Sequence, residues 1–288
     1  MGEAHLASFL KKKNSYDIYI FDKRSTIKKL IKKYAKYNLI FLHNLPKNMV
    51  FDLVIIATES IERFNFLKIV LSKNIVDVLL LEKFLFQNKK EYILADKYIK
   101  INNTKAFVNC WGSNVARISK LEKLNKKNNY IVIKVKIGNF LTNLIHILDL
   151  IYYLEKDFNF KSNFVISDIF KSKSKKYREV KGNLTLQFQK TGNFYDIRSA
   201  QQDSIFEIFF NNLNKLILNP DLNLNFFFNG TMHTNIFPKS SNYTEKIYSH
   251  HNKKNFIYKF LDYDIAKKFS IFILNSLKKA SAQKILIR

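Results

Sequence analysis

The stretch FDLVIIATESIERFNFLKIVLSKNIVDVLLLEK, residues 51–83, decides the fold. FDLVIIAT (51–58) and VDVLLLEK (76–83) are short runs apolar on both faces. ESIERFNFLKIVLSK (59–73) between them has the spacing of an amphipathic helix. A strand buried on both faces needs cover on both sides, and a strand–helix–strand unit supplies it as a parallel pair with a right-handed crossover.

The flanking segments repeat the alternation. AHLASFLKKK (4–13) predicts a short helix, YDIYIFD (16–22) a strand, STIKKLIKKYAKY (25–37) an amphipathic helix and NLIFLH (38–43) a strand. A helix is expected around 88–100, a strand at AFVNC (106–110) and a helix around 115–127. Together these predict a doubly wound parallel sheet. The texture changes near Lys134. One apolar helix over 138–156 is followed by strand-like runs at 162–170, 182–189, 204–210, 222–228 and 255–261. The expected fold class is therefore α/β plus α+β: a parallel-sheet domain over 1–110, then a domain over 111–288 with an open, mostly antiparallel sheet.

The chain has 288 residues and a formal charge of +26, with 47% apolar residues, which excludes wholesale disorder. The cations are 43 Lys and only six Arg, spread along the whole chain, whereas readers of bases and phosphates favour the arginine fork. The charge thus reads as a solvated lysine surface with no specific nucleic-acid partner, and polyanion binding stays a third-ranked alternative. Lone Cys110 excludes a disulfide framework and fits a reducing, cytoplasmic setting. In MGEAHLASFLKKK the lysines follow the apolar residues, the wrong order for a secretory leader. The longest apolar run, 137–154, is interrupted by Asn139, Asn143, His146 and Asp149, so no membrane span is expected. His5, His43, His233, His250 and His251 lack ligand spacing, and no metal is expected.

Ligands of open parallel sheets bind at the carboxyl ends of the strands. Those ends carry Asp22, then Thr58-Glu59-Ser60, then Glu82-Lys83. Asp22 suits the hydroxyls of an adenosine ribose, while Lys23 and Arg24 suit a 2′-phosphate, so NAD and NADP both remain open. In the helix 138–156, Thr142, His146 and Asp149 form one stripe with Asn143 beside it. Such a stripe on a buried helix must meet partners or a cavity. Either His146 and Asp149 satisfy each other at i, i+3, or both face a substrate with His146 moving a proton.

In order and spacing, MGEAHL (1–6), IFD (20–22), IIATES (55–60), LLLEKFLF (79–86) and NLIHILDL (143–150) resemble the Gfo/Idh/MocA oxidoreductases, and most closely a branch in bacterial surface-sugar biosynthesis. The resemblance covers about residues 1–155. It implies a Rossmann domain joined to an open-sheet domain, and hydride transfer between NAD or NADP and a sugar, nucleotide-sugar or similar polyol. It places Gly2, Asp22, Ala57, Thr58, Ser60 and Glu82 at the cofactor, Lys83 and His146 at the reacting centre, and Asn143 and Asp149 at the substrate. It also implies a homo-oligomer formed through the open sheet. Three departures stand out. Gly2 fits only the last glycine of the family's G-x-G-x-x-G loop, so the first Rossmann strand is missing. Phe84 stands where the family has proline, and Thr142 where it often has aspartate. A truncated or degenerate homologue without catalysis is accordingly the alternative to an active enzyme.

Overall fold

The computed structural model describes the whole chain except residues 1, 12–15, 23–26, 125–126, 173–175, 211–212, 222, 237–239, 251–257, 281–286 and 288. In chain order the first half runs α1 (Gly2–Leu10), β1 (Ile18–Phe21), α2 (Ile27–Lys33), β2 (Leu39–Leu42), β3 (Val50–Ile56), α3 (Ser60–Lys73), β4 (Ile75–Leu81), α4 (Lys89–Ile101), β5 (Lys105–Val108) and α5 (Gly112–Ile118). The second half continues with β6 (Tyr130–Lys136), α6 (Phe140–Glu155), β7 (Phe160–Lys171), β8 (Arg178–Phe188), β9 (Phe194–Ala200), β10 (Phe206–Phe209), β11 (Lys215–Leu218), β12 (Asn223–Phe228), β13 (Thr231–Ile236), α7 (Thr244–Ser249), β14 (Leu261–Asp262) and α8 (Tyr263–Ala280).

The predicted parallel sheet is present: β3, β4 and β5 run parallel in the order β5-β4-β3. Its centre is β4, where Leu79, Leu80 and Leu81 are fully buried. Burying side chains of this size contributes about 1.5–3 kcal/mol each. Helix α4 starts where the Asn88 side chain accepts from the Glu91 amide at 3.1 Å, an N-cap written in the sequence. Strands β1 and β2 form a separate parallel pair with no ladder to β3 among the described residues. Side chains span that seam instead, with the rings of Tyr19 and Phe51 centred 5.9 Å apart and those of Phe21 and Phe66 6.1 Å apart.

The second sheet has eight strands in the order β13-β12-β11-β10-β6-β9-β8-β7. It is antiparallel except for the β6–β9 pair. Helix α6 packs on its inner face and against α5 and α8. Two-domain architecture of the expected class is thus observed: a Rossmann-like parallel sheet and a larger, mostly antiparallel one.

Two expectations need correction, and one helix adds to them. The described part of the run 255–261, residues 258–261, does not extend the large sheet. Residues 251–257 lie outside the described residues, and Leu261 and Asp262 pair antiparallel with Val108 and Phe107 at the edge of the parallel sheet. The rings of Phe107 and Phe260, 6.2 Å apart, accompany that return. The helix expected at 115–127 is only α5, because Lys120 takes a left-handed φ of 51° and stops it. Helix α8 goes beyond the sequence reading, although Tyr263, Ala266, Phe269, Ser270, Ile273 and Leu277 make a regular buried stripe.

Candidate active site

The site starts at the tip of β4. Glu82 is buried, and its Oε1 accepts from His5 Nε2 at 2.7 Å and from Asn109 Nδ2 at 2.6 Å. His5 Nδ1 lies 2.6 Å from the Thr244 hydroxyl, so one imidazole ties α1 to β4 and α7. Burial alone raises the Glu82 carboxyl, but the His5 and Asn109 bonds and the His5 and Lys83 charges outweigh it and leave it below its ordinary value. Glu82 is therefore a buried anion beside Lys83, held by His5 and Asn109.

Buried Arg63 on α3 fixes the adjoining turns. Its guanidinium donates to the carbonyls of Thr58, Phe84 and Leu85. Desolvation lowers it to about 10, so it remains a cation near neutral pH. The Lys83–Phe84 peptide that follows is cis. Gly2 opens α1 against Ala57: a Cβ there would lie 3.5 Å from the Ala57 Cβ, an ordinary contact. Asp22 is half-buried just beyond β1. Ser60 donates to the carbonyl of Ile287 at 2.7 Å, and Gln87 brackets that same residue, Nε2 to its carbonyl at 2.6 Å and Oε1 from its amide at 3.1 Å.

Helix α6 closes the site from the other half. Asn139 makes no side-chain cap, and the carboxylate of Glu179 on β8 does that work, accepting from Leu141 N at 2.9 Å, Thr142 N at 3.3 Å and the Thr142 hydroxyl. Lys83 Nζ donates to the Thr142 carbonyl at 3.2 Å. His146 lies one turn further on. Its Nδ1 is 2.9 Å from Cys110 Sγ and 3.4 Å from the Trp111 amide, and its ring stacks on the Trp111 indole at 4.2 Å. An amide aimed at Nδ1 assigns the ring proton to Nε2. Burial, then the Lys83 charge, holds the imidazole well below its ordinary value, hence neutral. Burial, then the Asp149 charge, pushes the Cys110 thiol well up, so it is an inert thiol here.

Asp149 does not pair with His146. It accepts from Ser113 N at 2.8 Å, and burial raises its carboxyl above the ordinary value. Gly112 allows this approach of α5 to α6: a Cβ there would meet the His146 carbonyl and come within 2.7 Å of the Leu150 amide. Asn143 is 8% exposed beside this stripe.

Lys83, Glu82, Thr142 and His146 thus come together, and the Lys83 charge bears on Glu82, Cys110, His146 and Glu179. Sequence reasoning missed Asn109, Trp111, Arg63 and Glu179. Asn109 follows the tip of β5, so the strand-tip rule that picked out Glu82 reaches it too; Glu179 carries no comparable signal. Two buried atoms at these tips, Thr58 Oγ1 and Asn109 Oδ1, lack a hydrogen-bond partner among the described residues. A bare buried hydroxyl and amide oxygen fit a polar ligand lying across the sheet edge, as a dinucleotide would. No group of three or more His, Cys, Asp or Glu side chains among the described residues could hold a metal ion, and no helix among them is long and apolar enough to cross a membrane.

No protein-family model matches the chain, and no curated protein matches it in sequence. Solved structures do share its fold. A super-repressor mutant of Gal80p from Saccharomyces cerevisiae aligns with TM-score 0.71 at 12% identity, covering 96% of this chain and 91% of that one. A dehydrogenase, MviM, from Clostridium difficile aligns with TM-score 0.68 at 12% identity, covering 97% and 95%. Biliverdin reductase from Synechocystis sp. PCC 6803, in complex with biliverdin and NADP+, aligns with TM-score 0.66 at 11% identity, covering 98% and 96%. The chain has the two-domain fold of these proteins over nearly its whole length.

Proposed function

We propose that the chain is an NAD(P)-dependent oxidoreductase of the Gfo/Idh/MocA type, acting on a sugar, nucleotide-sugar or similar polyol. Residues 1–110 form its dinucleotide half and 111–288 its substrate half. The observation that carries the reading is Lys83 at a parallel strand tip, bonded at 3.2 Å to the carbonyl of Thr142, one helical turn before neutral His146. The shared fold, with a biliverdin reductase complexed with NADP+ among the neighbours, supports a nicotinamide cofactor.

Gly2 and Ala57 would border the cofactor, Asp22 would take ribose hydroxyls, and Thr58 Oγ1 would bond the exposed edge of the ligand. Ser60 holds Ile287 and Glu82 holds His5 and Asn109, so both support the cofactor turns from behind. A bound nicotinamide would supply the hydride acceptor or donor. On the protein side, Lys83 Nζ takes the hydroxyl proton when a carbinol is oxidised and returns it in the reverse direction. His146 presents Nε2–H to the substrate oxygen and orients it; its Nδ1 is already engaged, so the base is Lys83. Asn143 would bind substrate hydroxyls, and Asp149 keeps α5 and α6 in register from behind.

The test is nicotinamide reduction with NAD+ or NADP+ and a panel of nucleotide-sugars and polyols. Lys83→Ala is expected to lower kcat by about 10²–10⁴-fold, the usual worth of a general base, with dinucleotide affinity preserved. Turnover equal to wild type in that variant rejects the assignment. A second reading, a ligand-binding protein without turnover, is favoured by the separation of β1–β2 from β3 and by the fold shared with Gal80p. Dinucleotide binding with no hydride transfer to any panel member would establish it. A second copy docked on the outer face of the large sheet, where Tyr130, Val165 and Met232 are more than half exposed, accompanies either reading and is checked by sedimentation.

A further inference from the structure

Glu179 is a buried carboxylate from the far sheet that sequence and resemblance both leave unassigned. It takes two amides and a hydroxyl from the first turn of α6. Those amides have no partner inside a helix, and Asn139 caps neither of them. The turn so fixed contains the Thr142 carbonyl, which in a regular α-helix already accepts from the amide of residue 146. Its second lone pair receives Lys83 Nζ at 3.2 Å. One backbone oxygen therefore joins the ammonium of one half to the histidine turn of the other, and Glu179 sets where that oxygen sits.

We propose that Glu179 is the positioning residue for Lys83: by clamping the first turn of α6 it places the Thr142 carbonyl that holds the ammonium, and it brings an acidic group to bear on Lys83. The proposal rests on the reading of Lys83 as the proton-transfer group, but its geometry stands apart from turnover. Lys83 is faced by Glu82 beyond β4, Cys110 beyond β5, His146 on α6 and Glu179 on β8. Of these, Cys110 and His146 are neutral, and Glu82 is already bonded to His5 and Asn109. Glu179 is the acidic group in this set that belongs to the large sheet. Burial raises its carboxyl above the ordinary value, and the Thr142 and Leu141 bonds and then the Lys83 charge partly offset that rise.

The experiment measures the reactivity of Lys83 directly, by competitive acetylation of the full-length protein across pH with peptide mass readout. Glu179→Gln keeps an oxygen acceptor for the helix and removes the charge. With the neighbouring acidic group removed, Lys83 is expected to label about tenfold faster at a given pH near neutrality, while exposed Lys36 and Lys105 are unchanged. An unaltered Lys83 profile in a folded Glu179→Gln protein overturns the proposal. Should that variant fail to fold, Thr142→Val removes only the hydroxyl link and is expected to shift the profile in the same direction by a smaller factor; no shift there overturns it equally. Labelling needs neither cofactor nor substrate. A shifted profile in a protein without hydride transfer would retain Glu179 and reject the oxidoreductase reading, and the reverse pattern would reject Glu179 alone.

Discussion

The two parallel strand groups of the first half differ in how they are held. In the β3–β4–β5 ladder, β4 has neighbours on both sides and Val76 to Leu81 are buried except for Asp77. In the β1–β2 pair, Tyr19 is 37% and Ile40 39% exposed, and the following helix is tied to α1 by the exposed Glu3–Lys33 pair. Solvent screens such an exposed pair, so it holds the helix only weakly. The tips that carry Glu82 and Lys83 therefore stand on a rigid base, whereas Asp22 stands on a lightly attached one. The Glu82–Lys83 end of the proposed site is built firmly, and the Asp22 end depends on what lies across the seam.

Substitutions on either side can break this contrast. Gly112→Ala drives a methyl into the backbone of α6, and its expected cost exceeds about 4 kcal/mol, the rare end for one substitution. Gly2→Ala, beside the seam, meets only an ordinary contact and is expected to stay within about 0.5 kcal/mol. Urea denaturation of both variants decides the matter, and equal costs would dissolve the distinction. Leu80→Ala should lose about 2–5 kcal/mol because the cavity lies in a closed core. Ile40→Ala should lose under about 1 kcal/mol by the same assay. Native-state hydrogen exchange sharpens the point: amides of β1 and β2 are expected to exchange before those of β4.

The smallest effect is one of pH. The Glu82 carboxyl lies below its ordinary value of 4.5 in the folded protein. Its stabilisation is complete above 4.5 and is lost as the pH falls through the lower folded value. The gap in thermal midpoint between wild type and Glu82→Gln should therefore narrow as the pH falls below 4.5. A gap that is constant with pH would remove the anion from the account.

The same contrast governs what the sequence made legible. The β3–α3–β4 unit was readable because apolar residues fill both faces of two short runs and one stripe of the helix between them. Lys83 was readable from its place at a strand tip, and His146 from being polar within an apolar helix. Glu179 was not, since its role depends on β8 meeting the first turn of α6, a contact between residues 37 and 38 positions apart that no local pattern encodes. Nor was the independence of His146 and Asp149: i, i+3 spacing permits a bond, but the Trp111 and Ser113 amides reach each side chain first. The return of β14 to the parallel sheet escaped for a related reason, because a two-residue strand has no periodicity to detect.

The central claim is that the β3–β5 tips and α6 line one dinucleotide crevice. Trp111, the only tryptophan of the chain, stacks on His146 within it and is a built-in reporter. Titration with NADH or NADPH is predicted to quench tryptophan emission, with energy transfer to the reduced nicotinamide, and Lys83→Glu should weaken the transfer. Tryptophan emission that stays constant while calorimetry records dinucleotide binding, or the absence of any binding, would contradict the account.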